Sequence, residues 1–128
     1  MTALRAFIVE NSPVIRENLA GTLEELANVE VIGSAGDEES AVHWMSRPGA
    51  RKADVVIVDV FLNSGSGLGV LRAAQRLGVA ARRIVLTNYA TDEVRRRCAM
   101  LGAERVFDKC RQLEELISYC AGLSAKPA

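Results

Sequence analysis

The chain has 128 residues, 49% apolar and 25% charged, the size and balance of one globular domain able to bury its own core. Its 16 basic and 16 acidic side chains cancel, which excludes bulk attraction to nucleic acid or to an anionic membrane and leaves open only a local patch. Cys98, Cys110 and Cys120 form no C-x-x-C pair and no zinc spacing, and the N-terminal apolar run is too brief for a signal peptide. No stretch approaches the ~20 apolar residues of a membrane span, so the sequence reads as a cytoplasmic protein with reduced thiols.

Short apolar runs alternate with helical patterns along the chain. Ala6 to Val9 predicts a first strand. Ser12 and Pro13 then open a helix with Ile15, Leu19, Leu23 and Leu26 on one face. Val29 to Ile32 predicts the second strand. Asp37, followed by two glutamates, opens a second helix that Pro48-Gly49 closes. Val55 to Val58 is a third strand, and Leu68, Leu71 and Ala74 mark a third helix before Gly78. Ile84 to Leu86 is a fourth strand. Thr91 opens a helix with Val94, Cys98 and Leu101 on one face, and Gly102 stops it. Val106-Phe107 is a fifth strand, followed by a helix with Leu113, Leu116, Ile117 and Cys120 aligned. The residues from Ala121 onward read as a loose end, giving a domain over 1–122 and a flexible tail over 123–128.

Several strand runs are continuous in Val and Ile, as strands buried on both faces are. Five βα units imply a flavodoxin-like three-layer α/β sandwich, with a five-stranded parallel sheet in order 2-1-3-4-5 and five helices. An eight-fold barrel needs about twice this length.

Ligands of such sheets bind beyond the carboxyl ends of the strands, near the switch in strand order. The first run ends in Glu10-Asn11, the third in Asp59, the fourth in Thr87, and the fifth reaches Asp108-Lys109. Two carboxylates, a hydroxyl and an ammonium at one rim suit a divalent cation and a phosphoryl group. The cation and Lys109 would offset repulsion between the Asp59 carboxylate and the phosphoryl oxygens, Thr87 could donate to one of those oxygens, and the carboxylate could act as nucleophile. Only three of the sixteen cations are lysines, so a compact point charge at 109 is not this chain's default choice.

These residues resemble the response-regulator receiver family, the CheY-like domains of bacterial two-component systems. The resemblance runs from Leu4 to about Cys120. Phe7-Ile8-Val9-Glu10-Asn11-Ser12 is similar to the family's first strand and acidic pair, and Asp54 to Asp59 to its third strand and phosphoacceptor. Leu62 and Gly67 match the loop that follows. Ile84 to Thr87 is similar to the hydroxyl-bearing fourth strand, and Gly102-Ala103 with Asp108-Lys109 to the approach to the lysine.

The resemblance implies a phosphoacceptor switch and not an enzyme, with at most slow self-dephosphorylation. Asp59 would take a phosphoryl group from a histidine kinase or phosphotransfer protein. Mg²⁺ would be held by Glu10, Asn11, Asp59 and the Phe61 backbone carbonyl, and Thr87 and Lys109 would complete the site. Thr87 would then reshape the face of the fourth helix, fifth strand and fifth helix. That face is implied as the contact for a downstream protein target, with homodimerisation through it a further option. No effector domain follows the fifth helix in this sequence, so a single-domain regulator acting through protein contacts is expected, without direct nucleic-acid or membrane binding. An unphosphorylated pseudo-receiver, serving only as an interaction module, is the alternative. A flavodoxin-like cofactor binder fits poorly, because Glu10-Asn11-Ser12-Pro13 puts a carboxylate where a phosphate cradle is needed.

The sequence departs from the family at several positions. Asn11 replaces an aspartate ligand. Cys110 replaces a proline that often follows a cis bond, so a trans or strained bond is expected there, with a small packed residue favoured over a redox thiol. Val106 replaces the switch aromatic, and Phe107 points to the opposite face of its strand. Phe61 and Tyr89 are bulky where water reaches the acyl phosphate, and Asn88 crowds its entry. Arg95-Arg96-Arg97 reads as a solvated face, Ile15 and Leu19 as core, and His43 as a lone helix histidine. Because Asn11 brings an oxygen but no charge, Asn11→Asp is expected to tighten Mg²⁺ binding in a titration followed by amide shifts or intrinsic fluorescence. Equal affinities in the two proteins would contradict that role.

Overall fold

The Val and Ile runs become the interior of a parallel sheet. The computed structural model describes residues 3–125. Its elements are β1 (Leu4–Val9), α1 (Pro13–Leu26), β2 (Val29–Ala35), α2 (Glu38–Met45), a 3₁₀ turn (Pro48–Lys52), β3 (Val55–Val58), α3 (Gly67–Arg76), β4 (Arg82–Thr87), α4 (Asp92–Met100), β5 (Ala103–Asp108) and α5 (Leu113–Ala125). The strand order is β2-β1-β3-β4-β5, with every neighbouring pair parallel, the order expected from sequence.

Alternate strand residues feed two cores. Phe7, Val9, Val56, Val58 and Val85 pack with Ala41, Met45, Leu71 and Cys98 under α2, α3 and α4. Ala6, Ile8, Val55, Ile57, Ile84 and Phe107 pack with Leu19, Leu23, Leu116 and Cys120 under α1 and α5. Each buried Leu or Ile contributes about 1.5–3 kcal/mol, so the cores set the strand register from which the site is built.

The helix boundaries follow local chemistry. Ser12 Oγ accepts from Ile15 N–H at 3.3 Å, Asp37 Oδ1 from Ser40 N–H at 2.7 Å, and Thr91 Oγ1 from Val94 N–H at 3.2 Å, satisfying N–H groups that have no partner within the helix. Gly78 and Gly102, just past α3 and α4, take left-handed φ values of 65° and 91°, a conformation costly for residues with a Cβ.

Several expectations need correction. Ile15, Leu26 and Leu113 are 44%, 61% and 39% exposed, because the buried stripe of α1 narrows to Leu19 and Leu23 and that of α5 begins at Leu116. The fifth strand starts at Ala103, where exposed Glu104 and Arg105 on an edge strand carry no apolar run. The loose end read from Ala121, and the tail boundary at 123, fall inside α5, which continues to Ala125. Ser124 is buried there, with its hydroxyl 2.9 Å from the Ala27 carbonyl oxygen and 3.1 Å from that of Asn28. Residues 126–128 of the expected tail lie outside the described residues.

One glycine ties the fold to the site. Gly67 N–H donates to the Val60 carbonyl at 2.8 Å, and a Cβ at Gly67 would overlap the Asp59 carbonyl oxygen and lie 2.6 Å from Val60 Cα. Gly67→Ala is therefore expected to lose roughly 1–3 kcal/mol in urea unfolding despite alanine's better helix propensity. Gly21 in α1 has open space around it, so Gly21→Ala is expected to gain roughly 0.5–1 kcal/mol in the same measurement.

Candidate functional site

Register brings the acidic groups together. Ile8 lies opposite Ile57 and Val9 opposite Val58, so the next residues, Glu10 and Asp59, leave neighbouring strands at the same level. Their backbones are anchored there: Asp59 N–H donates to Val9 O at 2.9 Å, and Glu10 N–H to Ala35 O at 3.0 Å. This is the point where the chain departs to opposite sides of β1, the crevice at which open α/β sheets bind ligands. Both carboxylates are buried, at 3% and 7% exposure.

Lys109 arrives from beyond the far edge strand. Its backbone N–H donates to Thr87 O at 2.9 Å, and its ammonium donates to Asp59 Oδ2 at 2.7 Å and to Glu10 Oε1. The other oxygens are held locally: Glu10 Oε2 accepts from Ser12 N–H at 2.9 Å, and Asp59 Oδ1 from Phe61 N–H at 3.1 Å. Arg16 adds a brace that sequence reasoning missed, donating to the Glu10 carbonyl at 2.8 Å. Nothing in its helical spacing signalled this, because the contact depends on how α1 leaves the β1 end.

The two carboxylates titrate apart. Burial dominates at Asp59 and pushes its pKa up, and the Glu10 charge adds to the rise against the opposing hydrogen bonds from Lys109 and Phe61 N–H. Burial also works against the Glu10 charge, but the hydrogen bonds from Lys109 and Ser12 N–H outweigh it and lower the pKa. Burial likewise opposes the Lys109 charge, yet its bonds to Asp59 and Glu10 raise its pKa, so it stays cationic.

Thr87 is fully buried at the end of β4, level with Asp108. Its hydroxyl accepts from Tyr89 N–H at 3.4 Å. It thus shares the rim with Lys109 through the backbone, while its hydroxyl bond is a local one. Phe61 and Tyr89, 50% and 61% exposed, stack edge to face with ring centroids 4.9 Å apart, an arrangement aromatic rings favour. Phe61 N–H holds the Asp59 side of the rim and Tyr89 N–H the Thr87 side, so the ring pair joins the two sides.

Asn11 is half-buried in the loop after β1, and among the described residues no group of three or more His, Cys, Asp and Glu stands together. The donors near the rim are nonetheless all oxygen. With Glu10 Oε2 and Asp59 Oδ1 engaged by backbone N–H groups, Oε1 and Oδ2 face one point, where an ammonium sits. Two carboxylate oxygens facing one point match the hard-cation chemistry of Mg²⁺, which takes few protein carboxylates and retains waters.

Other positions fall where strand alternation puts them. Phe107 joins the core under α1 and α5, whereas Val106 packs toward α2, α3 and α4. No cis peptide occurs among the described residues, so the Lys109–Cys110 bond is trans. His43 pairs with Arg47 on the surface of α2 at 3.0 Å. No described helix is long and apolar enough to cross a membrane.

Residues 6–121 match the sequence profile of the response regulator receiver domain. Among curated proteins, the nitrate/nitrite response regulator NarP of Escherichia coli is 35% identical over 86 residues, covering 67% of this chain and 39% of its own length. The DNA-binding transcriptional activator DevR/DosR of Mycobacterium tuberculosis is 30% identical over 100 residues, covering 78% and 45%. The chain thus spans less than half the length of either relative. Among solved structures, a LuxR-family two-component response regulator from Aurantimonas sp. superposes with a TM-score of 0.84 at 21% identity, covering 96% of this chain and 86% of the other. A chain of the CheX-CheY-BeF3-Mg complex from Borrelia burgdorferi gives 0.83 at 19%, covering 96% and 90%. Both have the same fold.

The thiols differ sharply in accessibility. Cys98 and Cys120 are fully buried, and burial raises both, Cys120 to about 11. Cys110 is exposed beside Lys109, its Sγ 3.6 Å from Asn88 Oδ1. Since the thiolate is the reactive form, iodoacetamide at about pH 8 is expected to label Cys110 in the native protein and all three cysteines after denaturation. Mass spectrometry distinguishes the sites, and rapid native labelling of Cys120 would contradict the packing.

Proposed function

The chain belongs to the response regulator receiver domain family, and on that footing we propose that it accepts a phosphoryl group on Asp59 from the phosphohistidine of a histidine kinase or phosphotransfer protein. The observation that carries this reading is the convergence of two buried carboxylates on the Lys109 ammonium at a parallel-sheet switch point. An Asp59 carboxylate oxygen forms a bond to phosphorus as the phosphorus–nitrogen bond to the donor imidazole breaks, leaving an acyl phosphate and the free imidazole. Lys109 neutralises phosphoryl charge, and the Thr87 hydroxyl, whose oxygen accepts from Tyr89 N–H, donates its hydrogen to a phosphoryl oxygen. Glu10, Asn11, Asp59 and the Phe61 backbone carbonyl would hold Mg²⁺, which when bound supplies positive charge against the phosphoryl oxygens.

In this reading the protein works in the cytoplasm as a switch and not as a turnover enzyme. Its output is contact between the α4–β5–α5 face and a downstream protein, or a second copy through that same face. The curated relatives are longer regulators, one of them DNA-binding. A second reading, an unphosphorylated receiver-like interaction module, is favoured by Asn11 and by the aromatic pair at the mouth.

Incubation with acetyl phosphate and Mg²⁺ separates the two. A mass gain of one phosphate, lost in Asp59→Asn, is expected; no gain in the native chain would leave the interaction module. The Phe61–Tyr89 pair further predicts a long-lived acyl phosphate, because it restricts water. Phe61→Asn/Tyr89→Glu is expected to shorten the lifetime roughly tenfold, about 1.4 kcal/mol of barrier. A native lifetime of seconds, unchanged in the double variant, would contradict the restriction.

A further inference from the structure

The arginine run on α4 is not uniformly solvated. Arg96 and Arg97 are exposed, but Arg95 is half-buried. Its Nε donates to the Ala90 carbonyl at 3.1 Å, its Nη1 to the Val106 carbonyl at 2.7 Å, and its Nη2 to Gln112 Oε1 at 2.9 Å. Gln112 Oε1 also accepts from Asp108 N–H at 2.9 Å, and the Gln112 carbonyl accepts from Leu116 N–H at 3.0 Å in the first turn of α5. A single planar guanidinium therefore joins three segments: the loop after β4, the end of β5 and the start of α5.

Those segments carry the site. Ala90 follows Asn88 and Tyr89 in the loop that leaves Thr87 at the end of β4, and Asp108 precedes Lys109. Val106 offers only an aliphatic side chain, which packs toward α2, α3 and α4, so its side chain cannot hydrogen-bond to the loop. The Arg95 fork can, and its geometry is fixed: donors in one plane satisfy three acceptors only while the three segments keep their spacing. A displacement of about 1 Å at Ala90 would stretch its bond beyond hydrogen-bonding distance.

We propose that Arg95 and Gln112 are positioning residues that couple the Thr87 loop to the α4–β5–α5 face, so that a group occupying the Asp59 pocket is reported at the start of α5. This rests on the reading of Asp59 as phosphoacceptor. Movement of the loop pulls on Arg95, which passes it to Gln112 and through Asp108 N–H to the end of β5.

The test uses the whole chain, with beryllofluoride and Mg²⁺ as a non-covalent stand-in for the phosphoryl group and backbone amide NMR as the readout. In the native protein, addition is expected to shift pocket amides, Phe61 and Tyr89, together with distal amides, Leu113 and Glu114. In Arg95→Gln the pocket shifts remain, while the distal shifts fall about twofold or more. Gln112→Leu, which leaves α4 untouched, behaves the same way and serves if Arg95→Gln does not fold. Gln112→Glu keeps the acceptor and retains the distal response. A purely structural role would alter unfolding without this selective loss. Equal distal shifts in the native protein and in Gln112→Leu would overturn the coupling. Absence of pocket shifts in the native protein would instead overturn the phosphoacceptor reading, and the coupling with it.

Discussion

The structure turns on one cation between two buried carboxylates. Glu10 and Asp59 emerge side by side because β1 and β3 are adjacent and in register, and the hydrophobic core that fixes the register also removes their water. Two like charges in that setting repel and are poorly solvated. The Lys109 ammonium offsets both costs, and it can reach them only because all five strands run the same way and end on one rim. The result is uneven, with Glu10 held in its charged form and Asp59 made reluctant to ionise.

The loop that follows Asp59 is held from two directions. Gly67 lets the chain turn against the Asp59 and Val60 backbone, where any side chain would collide. From α2, Glu38 accepts from Ser66 N–H at 2.9 Å, placing a carboxylate at the positive end of α3. Gly65 and Gly69 leave room for it, since a Cβ at either position would collide with the Glu38 side chain. Phe61 is thereby presented at the mouth, where it meets Tyr89 from the opposite loop. The aromatic pair depends on backbone placement on both sides of the sheet's switch point, not on the rings alone.

Departures from the usual receiver pattern cluster around this site and leave the fold alone. Asn11, next to Glu10, offers a neutral amide oxygen where the family usually has a carboxylate. Cys110 accepts a trans bond without disturbing Lys109, whose backbone is fixed by Thr87 O. Val106 stands where the family's switch aromatic is usual, and Arg95 donates to the Val106 and Ala90 carbonyls beside it.

The order of elements, the parallel sheet and the four rim residues Glu10, Asp59, Thr87 and Lys109 were legible in the sequence. Runs such as Val55 to Val58 admit few environments, and the residue ending each strand is fixed once the strand is. Caps at Ser12, Asp37 and Thr91 were legible for the same reason: they act within a few residues of themselves. What stayed hidden depended on distance in sequence. Glu104 and Arg105 belong to an edge strand whose pairing with β4 carries no apolar signature, and the end of α5 is held by Ser124 against carbonyls 96 and 97 positions away. Arg16, Glu38 and Arg95 look like ordinary surface charges in a linear reading. Apart from the Gln112 side chain that Arg95 meets, the partners named for them are backbone groups, and every residue has the same backbone. Local chemistry therefore determined which groups form the site, while only tertiary packing decided which charged side chains brace it, because hydrogen bonds to main-chain atoms leave no mark on the partner's side chain.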